Sequence, residues 1–450
     1  MQNRRGNVVR ISLLGIAVQA LCLWVNPAAA QVTPVLRKGV TLAGDYSQYT
    51  ANNFALLQTI LNTGAGEIGF NLPWNAATQD CTSGCQAEEP ANPTNWDDPQ
   101  YANSPTVQAL DEISNYIATN GNGAHLVVIT YGTPGWAACP GDPTSGPIPQ
   151  TNYPPQNAAD YGNFMYAMSE RYSGTHVNDS GLQLGFVRDW VVYNEVNTPS
   201  WWANTACNTQ GYDPIYYYGG ILNAAYTAVH HLPASSGVRV LAGAFTSYYH
   251  TDYEGDAGLR ISTDYSDWAT NTANGNTSDA WISPLDFVQA MYNYGEQFDA
   301  ISLHPYAPEI YGDPLTQPPS GAVSLGNLGS LLSLLQTLYP NGQNQQWHVA
   351  LTEYMQQSYY DPESDGWDHV SAVACPNYFC AQTTEVNLDN FLQGAYGTAG
   401  SDQPYVDYLM WAMWMNIDPY VGGLVRADGS DKNEGLSAGS VRQAFTSIQP

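Results

Sequence analysis

Short apolar runs punctuate this chain, and between them apolar residues recur every three or four positions. The runs read as buried strands at 39–43, 67–71, 124–131, 188–193, 238–243, 298–303, 347–352 and 406–413. The intervening periodicity reads as amphipathic helices. Ser104 followed by Pro105 opens one, with Leu110, Ile113 and Ile117 on its apolar stripe, and Ser283 followed by Pro284 opens another. A third covers 325–338, and Ser437 is the expected cap of the last, which carries Val441, Phe445 and Ile448 on one face. Strands that alternate with helices pair in parallel, because each crossover returns the chain to the same end of the sheet. Eight such units predict an α/β chain with a single (β/α)8 TIM barrel over residues 31–450. The extra length falls after the strands, at 73–104, 132–157, 246–283 and 354–383, so long loops are expected on the C-terminal face, where barrel enzymes build their sites. An open doubly wound sheet is the alternative, but no Gly-rich dinucleotide fingerprint follows an early strand.

The first thirty residues change the picture only by being set aside. Arg4, Arg5 and Arg10 precede an apolar run from Ile11 to Val25, and Ala28, Ala29 and Ala30 offer a small-residue cleavage site. That is the pattern of a signal peptide at residues 1–30, so a secreted protein, extracellular or periplasmic, is expected. Six cysteines then remain: Cys81, Cys85, Cys139, Cys207, Cys375 and Cys380. An even number in an exported chain suggests disulfides. Cys81 and Cys85 are close neighbours in one loop, Cys375 and Cys380 in another, and Cys139 and Cys207 remain; six cysteines permit about 15 connectivities, all open from sequence, and a zinc site, without a CxxC knuckle or an accompanying His, is the alternative.

Charge is lopsided. Forty acidic residues face twelve Lys and Arg, and loss of the signal takes the net charge from −28 to about −31. Such a surface repels nucleic acid and anionic membranes, so neither is an expected partner. With few cations available, many carboxylates should stand free and repel one another at neutral pH, which points to an acidic working medium.

Two strand ends carry the chemistry. The fourth strand runs into Asn194-Glu195, and the seventh ends in Thr352-Glu353. A carboxylate is seldom structural at the C-terminal end of a barrel strand. Strands four and seven lie nearly opposite each other in a ring of eight, so the two glutamates can address one bound bond from two sides. Glycoside hydrolysis needs such a pair, one carboxylic acid to protonate the leaving oxygen and one carboxylate to attack or stabilise the anomeric carbon. The acid is expected to be the member whose surroundings keep it protonated.

These residues resemble those of glycoside hydrolase clan A, whose two glutamates end strands four and seven. Asn194-Glu195 is similar to the clan's Asn-Glu dyad. The resemblance implies Glu195 as general acid/base, Glu353 as nucleophile and Asn194 as a contact to the sugar. Thr133-Pro134-Gly135-Trp136-Ala137 resembles a loop after strand three, and His304-Pro305-Tyr306 resembles an element after strand six whose Tyr bonds the nucleophile. Trp411 and Trp414 resemble the aromatic floor beneath the cleaved sugar. Family 39 looks nearest. One departure stands out: strand two ends Asn71-Leu72-Pro73-Trp74, without the Arg that commonly supports the nucleophile, and Asn71 is the expected substitute. Trp74 and Trp201-Trp202 fall in loops at the mouth and are candidate outer subsites.

The reading is thus a retaining β-glycosidase acting on a poly- or oligosaccharide, more often within the chain than at its end, as a monomer. It calls for no cofactor and no metal. The segment Asp361-Pro362-Glu363-Ser364-Asp365-Gly366 opens like a calcium loop but has Ala372 where the last ligand would stand. A non-catalytic carbohydrate-binding or cell-wall barrel protein and a transglycosylase are the alternatives.

Overall fold

The structure is a computed structural model. It describes residues 36–42, 44–140, 152–198, 201–202, 214–232, 237–247, 261–262, 281–306, 318, 321–340, 348–354, 394–397, 399, 405–412, 424–425, 431 and 440–448. Two units divide the chain, 1–33 and 34–450, and the first lies wholly outside the described residues.

Eight parallel strands close into a ring. In chain order they are β1 (Arg37–Leu42), β2 (Glu67–Pro73), β3 (His125–Tyr131), β4 (Val187–Val192), β5 (Arg239–Thr246), β6 (Ala300–His304), β7 (Val349–Tyr354) and β8 (Val406–Trp411), with β1 paired to β8 to shut the barrel. The helices follow in alternation: α1 (Ser47–Asn62), α2 (Pro105–Asn120), α3 (Ala158–Arg171), α4 (Pro214–His230), α5 (Pro284–Tyr294), α6 (Leu328–Leu338) and a closing helix Val441–Ser447. This is the (β/α)8 barrel that the alternating pattern predicts. Two-residue strands Ile261–Ser262 and Trp281–Ile282 pair with each other in the connection after β5.

Local chemistry starts the helices where expected. Ser104 accepts from the Val107 N–H with Pro105 at the first position, and Ser283 accepts from Leu285 and Asp286. The closing helix differs: its cap is Ser440, which accepts from Gln443, and Ser437 lies outside the described residues. Both are serines ahead of the same apolar face, and the helix takes the one that puts Val441 directly in its first turn.

Side chains alternate across the ring. Val127, Ile129, Val191, Leu241, Ala244, Ala300, Ala350, Tyr408 and Met410 fill its interior as a separate buried cluster, while Trp190, Val192, Val240, Leu303, Leu351 and Leu409 face the helices. Met410 fits only because β1 and β2 carry glycine opposite it. A Cβ at Gly39 would stand 2.8 Å from the Met410 side chain, and one at Gly69 would stand 2.5 Å from it.

The N-terminal end of the barrel is sealed by buried charge. Glu67 and Asp189 are fully buried there. Arg37 pairs with Glu67 at 2.7 Å, and both Arg188 and Arg239 pair with Asp189 at 2.7 Å. Tyr408 donates to Asp189 at 3.0 Å, and Arg239 continues to Asp407, which His348 meets at 2.6 Å. Burial alone would raise the Asp189 carboxyl, but Arg239 and Arg188 outweigh it and hold it well below the usual range. Most of the described cations are therefore spent inside. Arg171 forks onto Asp111 at 2.9 and 2.6 Å between α3 and α2, and the Lys38 ammonium donates to the carbonyls of Phe445, Thr446 and Ile448 at the end of the closing helix.

Candidate active site

The candidate site is assembled from the ends of β3 to β7. Past Val192 the chain leaves the regular ladder. Tyr193 turns into the left-handed region (φ 64°), as does Glu195 (φ 45°), and across from it Ala244 on β5 does the same (φ 59°). These two residues are bonded to each other, Glu195 N–H to the Ala244 carbonyl at 3.0 Å. Non-glycine residues take this conformation only where surrounding contacts enforce it, and such strain gathers at functional sites. The turn lifts Glu195 to the mouth of the ring, half-buried, beside half-buried Asn194.

His304 ends β6, fully buried, with Nδ1 3.0 Å from Glu195 Oε1. Two residues on, the Tyr306 hydroxyl donates to Oε1 of Glu353 on β7. The barrel thus brings together four of the residues singled out from sequence: Glu195, His304, Tyr306 and Glu353. Burial pushes the Glu353 carboxyl up, and the charge of Glu195 adds to it, while His304 and the Tyr306 hydrogen bond pull it down; the net shift is upward. For His304, burial favours the neutral ring, but Glu353 and Glu195 together raise it above the usual imidazole value. One imidazole therefore feels both carboxylates. The surroundings thus raise Glu353 on β7, the position at which the nucleophile was expected.

Tyr131 was not singled out, yet it belongs here. It is the last residue of β3 and continues the inward alternation of Val127 and Ile129, a signal present in the strand pattern. Burial pushes its phenol up and Glu353 adds to the shift, which places its hydroxyl within the field of that carboxylate. The Trp201 ring meets Tyr131 edge-on, with centroids 5.4 Å apart. Trp136 is half-buried in the loop after β3. Asn71 is half-buried on β2, and its backbone N–H and carbonyl are both held by the Tyr46 hydroxyl, at 3.1 and 2.8 Å. Described arginines lie elsewhere: Arg37, Arg188 and Arg239 in the floor, Arg171 on Asp111 and Arg442 on Asp431.

Three tryptophans sit differently from expectation. Trp74 is buried, wedged between Phe164 at 5.4 Å, Tyr161 at 5.5 Å and Trp136 at 5.5 Å, so it cements the loop after β2 to α3 instead of lining a groove. Trp202 is likewise buried, against Tyr193 and Tyr218. Trp411 follows inward-facing Met410 and so points outward, packing against Tyr354 at 5.7 Å in the layer beneath the helices. It is not a floor beneath the site. Trp414, Cys207, Cys375, Cys380 and the acidic segment 361–366 lie outside the described residues. Cys81 and Cys85 are joined in a disulfide, and Cys139 is disulfide-bonded.

Comparison of the sequence with protein-family models and with curated proteins finds no match. Similar solved structures are clan A glycoside hydrolases. They include a glucosidase from Croceicoccus marinus (13% identity, TM-score 0.49, covering 92% of this chain and 66% of that one). Others are a family 39 glycoside hydrolase from Bacteroides cellulosilyticus WH2 (15%, TM-score 0.43, 92% and 63%) and a family 39 β-xylosidase from Caulobacter crescentus (12%, TM-score 0.49, 92% and 71%). This chain spans less than two thirds of the length of the first two. At these identities the likeness concerns the fold, and the fold itself rests on the closed ring of strands.

Proposed function

We propose that this barrel is a retaining β-glycosidase that hydrolyses a poly- or oligosaccharide, with Glu353 as nucleophile and Glu195 as general acid/base. The observation that carries the reading is that one segment at the end of β6 holds both strand-end carboxylates: His304 Nδ1 lies 3.0 Å from Glu195, and the Tyr306 hydroxyl donates to Glu353. A purely structural pair at a barrel mouth would be neutralised by arginine or lysine, yet the described arginines are committed to the floor and the helix layer.

The roles follow from the contacts. Tyr306 stabilises the ionised form of Glu353, and its hydrogen bond offsets part of the cost of burying that charge. A desolvated carboxylate fixed by one donor is poised to attack the anomeric carbon and form a glycosyl ester. As the acid/base, Glu195 gives a proton to the leaving oxygen and afterwards takes one from the incoming water. His304 at Nδ1 orients Glu195, and the charges of Glu353 and Glu195 raise its proton affinity. Tyr131 and Trp201 form an aromatic wall on the β3 side. Aromatic faces there would complement the C–H faces of a pyranose, and with Trp136 they favour a chain lying in a cleft. Residues 1–30 would export the enzyme, and the excess of acidic over basic residues suits an acidic medium.

The test is a panel of β-linked polysaccharides scored for new reducing ends between pH 3 and 7, with wild type, Glu195→Ala and Glu353→Ala. Both variants should lose turnover while melting close to wild type; near-normal activity in either overturns the reading. Azide then separates the roles on an activated aryl glycoside of the sugar identified. Rescue of Glu353→Ala should yield the inverted glycosyl azide, and rescue of Glu195→Ala the retained one. The opposite pairing would exchange the two assignments.

A further inference from the structure

Two residues beyond Glu195 lies Asn197, almost wholly buried, whose carboxamide takes the place of a strand. Its Oδ1 accepts from the Thr246 N–H at 3.0 Å, and its Nδ2 donates to the carbonyls of Thr246 and Ile282, both at 3.0 Å. Its own carbonyl accepts from the Ile282 N–H at 3.0 Å. One side chain and one peptide group therefore bind the segment after β4 to the end of β5 and to the short strand Trp281–Ile282. The regular ladder between β4 and β5 stops at Val192 and Ala242, and beyond that point the two segments keep no regular pairing.

Between the ladder and this clamp sits the left-handed turn at Glu195. Its N–H is held by Ala244, and its carbonyl accepts from the Thr198 N–H at 3.0 Å and the Thr198 hydroxyl at 3.1 Å. An L residue in this conformation relaxes toward the ordinary regions unless both flanks are pinned. The Val192–Ala242 pairing pins one flank. Asn197 pins the other.

We propose that Asn197 is a positioning residue that sets the direction of the Glu195 carboxyl, acting through the backbone and touching no substrate. The inference rests on the reading of Glu195 as acid/base. A buried asparagine that merely supported the fold would, when lost, weaken the protein and slow every substrate alike. A positioning residue for the acid has a narrower signature. Substrates whose leaving group needs protonation should suffer, and substrates with a leaving group stable as an anion should be nearly spared.

The experiment compares 4-methoxyphenyl and 2,4-dinitrophenyl β-glycosides of the sugar that the wild type hydrolyses, under conditions where glycosylation limits the rate. Asn197→Ala should lose roughly 100-fold in kcat/KM on the methoxyphenyl substrate, the scale of an ångström-level misplacement, and less than about tenfold on the dinitrophenyl one. Equal losses on both overturn the proposal. Thr198→Val keeps shape and removes one bond to the Glu195 carbonyl, so it serves if Asn197→Ala fails to fold. It should show the same bias in smaller degree, and an unbiased Thr198→Val then overturns the proposal. Glu195→Ala is the reference. If it lacks the bias, the acid/base reading fails and takes this inference with it. If Glu195→Ala is biased and the other two are not, only the clamp is refuted.

Discussion

Removing the hydroxyl that Tyr306 presents to Glu353 should move the acid limb of the pH–rate profile upward. The ring stays in place in Tyr306→Phe, so the change is the loss of one donor to Oε1. That donor favours the ionised carboxylate and opposes burial, which pushes the carboxyl up. A hydrogen bond to a charged group contributes about 1.5–3 kcal/mol. At about 1.36 kcal/mol per pH unit, its loss shifts the ionisation of Glu353 upward by about one to two units. Since the nucleophile must be ionised, kcat/KM in Tyr306→Phe should fall roughly ten- to hundredfold at pH values below the new limb, as one to two units imply. Above it, the variant should approach wild type. The assay is kcat/KM against pH on an activated aryl glycoside, which reports the free enzyme and spares the acid its task. An acid limb that stays put, or moves down, would refute the reasoning. So would a uniform loss at every pH, which would assign Tyr306 to sugar binding alone.

Other outcomes follow from the same structure. Glu353→Gln should melt above wild type at pH 7, with the gap closing as pH falls. The folded carboxyl is raised above its unfolded value, so its ionisation costs stability as pH rises through that interval, and a neutral amide escapes the cost. Asp189→Asn leaves Arg188 and Arg239 facing an amide in a buried floor and should cost about 3–5 kcal/mol in denaturant unfolding, with aryl-glycoside kinetics of the folded fraction unchanged. Lys38→Met removes the three bonds that hold the closing helix and should cost about 2–3 kcal/mol, with faster amide exchange confined mainly to Val441–Ser447.

The ring of strands was legible because fully buried parallel strands are written as unbroken apolar runs, and because several are followed by a helix of the opposite period that opens on a capping serine, as at Ser104 and Ser283. Glu195 and Glu353 were legible for the converse reason: a carboxylate at the end of such a run has no structural excuse. What the sequence withheld depends on which way a side chain turns. Trp411 was read as facing the site, but Met410 takes the inward position beside Gly39 and Gly69, and a register shift against β7 sets Trp411 opposite Tyr354. Trp74 looked like a loop aromatic, and only the docking of α3 shows that Phe164 and Tyr161 bury it. The floor network draws on residues as far apart as Arg37, Asp189 and Asp407, so composition suggested a shortage of cations without showing where they are used. Asn197 carries no sequence signal beyond its closeness to Glu195, since its partners are backbone groups nearly fifty and more than eighty residues away.

A covalent trap tests the double-displacement chemistry most directly. The wild type would be incubated with a 2,4-dinitrophenyl 2-deoxy-2-fluoro-β-glycoside of the hydrolysed sugar, digested, and mapped by tandem mass spectrometry. A single fluoroglycosyl adduct on the peptide bearing Glu353, with one dinitrophenolate released per enzyme, is the predicted result. An adduct on Glu195, or products released with inverted anomeric configuration, would contradict the account.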